Sequence, residues 1–223
     1  MTASSKGVIW DFDGVLVSSD EIKWSMAWRE AAKNAPLALF AAIRGIVQTN
    51  EGRRLSRHEV AGRALAVLSE LGIAPRITRH ELVRRYGDAV TAAIIKSGLR
   101  RGATRTLTRL QSAGIAQFLV SGTPQKDLEE TIAALGLKRY FTEIHGGTSA
   151  EKPLRASAIK ERFPSIRQWY AIGDQVGDIE VANAISGIFI GVRTENNSWE
   201  VGTTLFQTVS EEMLDGVLEI ILE

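Results

Sequence analysis

Residues Gly7–Asp20 read "GVIWDFDGVLVSSD": a short run ending in Trp10, then Asp11, Phe12 and Asp13, with Gly14 straight after. Gly7 to Trp10 has the character of a buried strand. Asp11 and Asp13, at i and i+2 of an extended segment, point to the same side. Burying an unpaired carboxylate is costly. A strand that delivers two carboxylates to one spot therefore implies something there that takes them up.

At 223 residues the chain can hold one large domain, or a core with a smaller insertion. Its 44% apolar and 24% charged residues are those of an ordinary water-soluble globular protein. Cysteine is absent, which excludes disulfides, thiolate catalysis and thiolate metal sites and fits a reducing compartment. No apolar stretch approaches the roughly 18 residues that span a bilayer, and "MTASSKGVIW" lacks the layout of a secretory signal. The expected location is the cytoplasm, with no membrane partner. The net charge of +1 hides an asymmetry. Gly14 to Arg105 carries 16 Lys and Arg against 8 Asp and Glu, and the remainder 11 against 18. One part is basic, and the other contains the opening aspartates.

The second half alternates strand and helix patterns. "IAQFLVSGT" (Ile115–Thr123) is a short apolar run ending in small polar residues, as a buried parallel strand would be. Pro124–Leu135 reads as a helix with proline in its first turn and Gly136 behind it. Tyr140–Gly147 is a weaker strand. Pro153–Arg162 is helical, Gln168–Asp174 a strand, Gly177–Ala184 helical, Gly187–Val192 a strand and Met213–Leu222 a closing helix. Repeated β–α units imply an α/β fold: a doubly wound parallel sheet with helices on both faces, joined by the opening strand. From about Asp20 to Leu99 the pattern is helical throughout, over Glu21–Lys33, Leu37–Gln48, Arg57–Leu71 and Thr78–Lys96. The expected organisation is a sheet domain of residues 1–17 and 102–223 interrupted by an all-α insertion, 18–101.

In open parallel sheets, ligands sit beyond the carboxyl ends of the strands. The first strand presents Asp11 and Asp13 there, the second Ser121, Gly122 and Thr123, and the Gln168 strand Asp174, with Asp178 four residues on. Lys152 precedes a proline that can start a helix. Carboxylates at about 4 Å repel by roughly 1 kcal/mol in water and about 4 kcal/mol at an effective dielectric of 20. A hard divalent cation with oxygen ligands relieves this, and beside a phosphate the choice is Mg²⁺. Hydroxyls, glycine amides and a helix N-terminus on the same rim favour an oxyanion, and Lys152 adds a point charge. Such a site can transfer a phosphoryl group to an aspartate.

These residues fall in four motifs in order: "DFDGV" (Asp11–Val15), "VSGT" (Val120–Thr123), "EKP" (Glu151–Pro153) and "GDQVGD" (Gly173–Asp178). In them the chain resembles the haloacid dehalogenase superfamily of hydrolases, and its phosphoglycolate phosphatase-like members in particular. The helical insertion resembles the family's cap placed just after the first motif. The resemblance implies that Asp11 attacks phosphorus and that Asp13 acts as general acid and then base. It implies that Ser121, with Gly122 and Thr123, binds the phosphoryl oxygens, and that Lys152 offsets charge between nucleophile and phosphate. Asp11, the backbone carbonyl of Asp13 and Asp174 would hold Mg²⁺, with Asp178 ligating or orienting, and Gly14 would let the chain swing towards the cap. Val15 stands where threonine is frequent, and Ser18–Asp20 replaces an acidic–polar–acidic stretch.

Each residue also has a plainer reading. Asp13 before Gly14 is a turn signal, Ser121 can cap a helix, Lys152 can be solvated, and Asp178 suits a helix N-terminus. Trp24 and Trp28, four apart, read as packing, and the three histidines are scattered. In "EGRRLSRHEV" (Glu51–Val60), Arg53, Arg54 and Arg57, with Arg44 nearby, form either a solvated face or a binding site for a second anionic group. The leading expectation is a Mg²⁺-dependent phosphatase of a small anionic phosphomonoester. A phosphomutase shares both aspartates. Dehalogenases and phosphonate-cleaving enzymes have no need of the acid at Asp13. A binder of phosphorylated ligands or nucleic acid has no use for Asp11 and Asp13 together, and no aromatic-interleaved basic groove is visible.

Overall fold

In the computed structural model, which describes residues 4–49, 55–193, 206–210 and 214–223, the opening run forms β1 (Lys6–Trp10). Val8, Ile9 and Trp10 are all buried, so both faces of the strand are covered. It is a central strand. The others are β2 (Ala116–Val120), β3 (Glu143–His145), β4 (Gln168–Gly173), β5 (Ile188–Arg193) and β6 (Phe206–Ser210). All pairings are parallel, in the order β3-β2-β1-β4-β5-β6. The chain builds outwards from β1 on one side, then returns to β4 and builds outwards on the other. The order therefore reverses between β1 and β4, the point at which open parallel sheets place their ligands, beyond the carboxyl ends of the strands.

Alternation along each strand splits the core in two. Ile9, Phe118, Val120, Trp169, Ala171 and Phe189 pack with Ala156 and Ile159 of α7 (Lys152–Arg162) and Val181, Ala182 and Ile185 of α8 (Val176–Ala184). Gln117 of β2 is buried, which requires partners for its amide. It accepts from Trp10 Nε1 at 3.1 Å and donates at 3.0 Å to the Leu107 carbonyl of α5 (Ala103–Ser112). That helix buries Ala103, Thr106, Leu107 and Leu110, an i, i+3, i+4, i+7 face. The sequence reading assigns no element to it, nor to β6. The remaining α-helices among the described residues of this unit are α6 (Gln125–Ala134) and α9 (Gly216–Leu222).

The chain divides into two compact units, Met1–Ser18 with Ser97–Glu223, and Ser19–Lys96. The second unit is helical. A π-helical segment, Ile22–Met26, runs into α1 (Ala27–Ala31), followed by α2 (Leu37–Val47), α3 (Arg57–Glu70) and α4 (Arg79–Ser97). Ser56 and Glu59 cap α3 reciprocally. Trp28 is buried and stacks on Tyr86 of α4 at 4.1 Å, so it packs the unit's interior. Among the described residues no helix is long and apolar enough to cross a membrane.

Candidate active site

The register that pairs Trp10 with Ile172 places the ends of β1 and β4 side by side. Asp11, the first residue past β1, donates its backbone N–H to the Ile172 carbonyl at 2.8 Å, and its side chain is buried. The chain then turns tightly. The amides of Leu16 and Val17 bond the Phe12 carbonyl, and the amide of Gly14 bonds the Val17 carbonyl at 2.9 Å. Gly14 takes φ of +78°, and a Cβ there would collide with the Asp174 carboxylate. This position needs glycine both for its backbone and for what lies against it. Asp13 emerges half-buried from the same turn.

Lys152 opens α7 with its side chain buried. Its Nζ lies 2.8 Å from Asp11 Oδ1 and 2.8 Å from Asp178 Oδ1. Burial opposes its charge, but Asp11 and Asp178 outweigh burial and raise its pKa above that of a free lysine. It is therefore not a solvated loop lysine. Asp178, in the first turn of α8, is held on both oxygens. Oδ1 faces Lys152, and Oδ2 accepts the backbone N–H of Asp174 at 3.2 Å and of Gln175 at 3.1 Å. Gly173 admits this carboxylate, because a Cβ there would overlap the Asp178 side chain. Asp174, buried at the end of β4, accepts at Oδ2 from Gln175 Nε2 at 2.8 Å.

Asp11, Asp174 and Asp178 each offer an oxygen, and the three oxygens lie within 4.8 Å of one another. Burial first, then Asp178, Asp174 and Asp13, push the Asp11 carboxyl well above the usual carboxylate range, against the pull of Lys152. One buried ammonium among these carboxylates leaves negative charge uncompensated. Three hard oxygens at that spacing fit a small divalent cation such as Mg²⁺.

The Asp13 carboxylate lies outside this trio. It accepts at Oδ2 from Thr123 Oγ1 at 2.7 Å. The loop after β2 is folded by its own side chain: Ser121, fully buried, accepts the Thr123 N–H at Oγ at 3.0 Å and donates its backbone N–H to the His145 carbonyl at 2.9 Å. Pro124 is the N-cap of α6, so the Ser121 hydroxyl shapes the loop and does not cap that helix. Gly122 lies against Ser149 Oγ. The Thr123 hydroxyl is directed to Asp13. Gln175 drew no attention in the sequence, although it touches Asp174 and sits at the N-cap of α8. Arg44 is exposed on α2 and Arg57 is half-buried at the start of α3, both in the helical unit. Arg53 and Arg54 lie outside the described residues.

The chain matches the family model of haloacid dehalogenase-like hydrolases over residues 5–185. No protein of curated function matches it by sequence. Among solved structures, a candidate β-phosphoglucomutase from Thermotoga maritima is 20% identical with a TM-score of 0.73, covering 97% of this chain and 99% of that one. A candidate HAD-hydrolase, YfnB from Bacillus subtilis, solved with bound magnesium, is 17% identical with a TM-score of 0.68 over 98% and 99% of the two chains. A candidate phosphoglycolate phosphatase from Haemophilus somnus is 17% identical with a TM-score of 0.64 over 96% and 98%. At these identities the likeness is one of fold.

Proposed function

The chain belongs to the haloacid dehalogenase-like hydrolases and is an enzyme, and from that premise we propose that it is a Mg²⁺-dependent phosphatase of small anionic phosphomonoesters. The observation that carries this reading is the contrast between its first two aspartates. Asp11 is buried, 2.8 Å from Lys152 and in reach of two further carboxylates, while Asp13 stands half-buried on Thr123. A nucleophile needs charge compensation and an acid–base group needs access to the leaving oxygen and to water. The two environments match those two needs.

Asp11 attacks phosphorus, forming an aspartyl-phosphate as the bond to the leaving oxygen breaks, and Asp13 gives that oxygen a proton. Asp13 then takes the proton back from the water that attacks the aspartyl-phosphate, which restores Asp11 and releases inorganic phosphate. Lys152 neutralises part of the charge on Asp11 as phosphate approaches, and Asp178 holds that lysine in place. Asp11 and Asp174, with Asp178 behind them, would hold Mg²⁺, which when bound would supply charge neutralisation of the transferring group. The Ser121 hydroxyl and the Gly122 amide bind the phosphoryl oxygens, since the Ser121 and Thr123 amides are already bonded within the fold. The arginines of the helical unit, Arg44, Arg53, Arg54 and Arg57, provide charge for the non-transferring part of an anionic substrate.

A phosphomutase would use the same two aspartates and differs in keeping water from the phosphorylated intermediate. Release of inorganic phosphate from a panel of sugar phosphates, phosphoglycolate-like acids and nucleotides, with and without Mg²⁺, separates the two. Mg²⁺-dependent release by the wild type, abolished in Asp11→Asn, is the expected result. Isomerised sugar phosphate without release would turn the reading into a mutase, and no turnover of any kind would turn it into a binding protein.

A further inference from the structure

We infer that Gln125 is a positioning residue for the loop that carries Ser121, Gly122 and Thr123, tying its far end to the open edge of the sheet; this rests on the proposed phosphatase reading. β3 stands at the edge of the sheet, paired with β2. An edge strand presents backbone N–H and C=O groups that no further strand takes up. Gln125, the first residue of α6, takes them up with a side chain. Its Oε1 accepts the Gly146 N–H, and its Nε2 donates to the Ile144 carbonyl at 3.1 Å. The amide thus bonds the end of β3 much as a neighbouring strand would.

Its orientation is fixed by its partners. The Gly146 N–H calls for an oxygen, whereas the Ile144 carbonyl and the Glu129 carboxylate, 2.6 Å from Nε2, call for a donor. A pair with Glu129 alone, at i and i+4 of one helix, would leave the oxygen to water. Its bond to Gly146 is what ties the helix to the strand. The other side of the same strand end is held by backbone: the Ser121 N–H donates to the His145 carbonyl at 2.9 Å, and the Gly147 N–H to the Thr123 carbonyl at 2.8 Å. The loop after β2 therefore wraps round the end of β3, gripped at Ser121, Thr123 and Gln125. Gly146 shows how closely. A Cβ there would stand 2.5 Å from the Thr123 carbonyl oxygen and 2.7 Å from Gln125 Cα, so the strand end meets the loop with nothing between. Thr123 lies inside this grip and donates its hydroxyl to Asp13. Whatever fixes the backbone on both sides of Thr123 fixes the direction of that hydroxyl.

Gln125→Met keeps the length of the side chain and removes the amide. The kcat for an alkyl phosphate, whose leaving oxygen needs the Asp13 proton, should fall about 3- to 10-fold, and that for p-nitrophenyl phosphate by less than about twofold. The loss should vanish when Thr123 is already valine, because two residues that act through one bond are not additive. A general loosening of the fold would add its own loss on both substrates. Gln125→Glu keeps an acceptor for Gly146 and loses the donor for Ile144. It should show the same substrate-selective loss, and it serves should the methionine variant fold poorly. Equal losses on both substrates, no loss on either, or full additivity with Thr123→Val would overturn the inference and leave the phosphatase reading standing. No phosphate release by the wild type from either substrate would sink that reading, and the role of Gln125 with it.

Discussion

Thr123 donates its hydroxyl hydrogen to Asp13 Oδ2 at 2.7 Å, and that bond makes a prediction no other residue of the site makes. If Asp13 protonates the leaving oxygen, whatever aims its carboxylate matters most when the leaving group is a poor one. Thr123→Val removes the donor and keeps the shape. A hydrogen bond to a charged group contributes about 1.5–3 kcal/mol, so turnover of an alkyl phosphate should fall by roughly 10- to 100-fold. Turnover of p-nitrophenyl phosphate, whose leaving group needs no proton, should hardly change. Thr123→Ser should restore the alkyl phosphate rate, and equal losses on both substrates would remove Thr123 from the role. In the sequence, "VSGT" marked Ser121 and Thr123 as residues at a strand end, but not where each hydroxyl goes. That depends on how β2 and β1 sit side by side, a pairing 110 residues apart. Gln175 was harder still. Its only local signal is an acceptor three residues before Asp178, and glutamine is not a common cap.

At the scale of elements, α4 carries a pH-dependent contribution of its own. Glu81 accepts from Arg84 Nε and Nη2 and from Arg85 Nε at 2.8–3.0 Å, and these bonds, Arg84 first, lower its pKa to about 2. Its folded-state pKa lies below the unfolded value of about 4.3. The contribution is therefore present above about pH 4.3 and is lost as pH falls towards about 2. Measured by thermal unfolding, the gap between wild type and Glu81→Gln should be open at pH 6, close as pH drops through that window, and narrow in high salt because the pairs are exposed. A Glu81 signal titrating near 4 by NMR would contradict it. Elements were legible where burial is two-sided or the period is long: β1 and β4 carry continuous apolar runs, β2 one interrupted only by Gln117, and α2, α3 and α4 keep a helical stripe. The stripe of α5 is short, includes Thr106, and is interleaved with Thr104, Arg105, Thr108 and Arg109, so its apolar signal is weak. The π segment at Ile22–Met26 widens a helix without changing its composition, so the sequence reads as one plain helix from Glu21 to Lys33.

For the whole molecule, the alternation of strands and helices foretold a doubly wound parallel sheet, but not its strand order. The order rests on which strand ends share a crevice, and that followed only from the pairing of β1 with both β2 and β4. Charge is the other property at this scale. The stretch Gly14–Arg105 has twice as many basic as acidic residues, 16 against 8, while the rest has 11 against 18. A field of that kind acts on capture of an anionic substrate and not on bond breaking. The screening length shrinks from about 30 Å at 0.01 M salt to about 8 Å at 0.15 M. Over that range kcat/KM for a doubly charged phosphomonoester should fall several-fold, while kcat at saturating substrate and Mg²⁺ stays level. Neutralising pairs of arginines, Arg44 with Arg57 and Arg53 with Arg54, should raise KM and flatten the salt dependence in proportion to the charge removed, again sparing kcat. A wild-type kcat/KM indifferent to salt, or variants whose KM does not move, would mean that the basic stretch serves its own solubility and that specificity is set by uncharged groups.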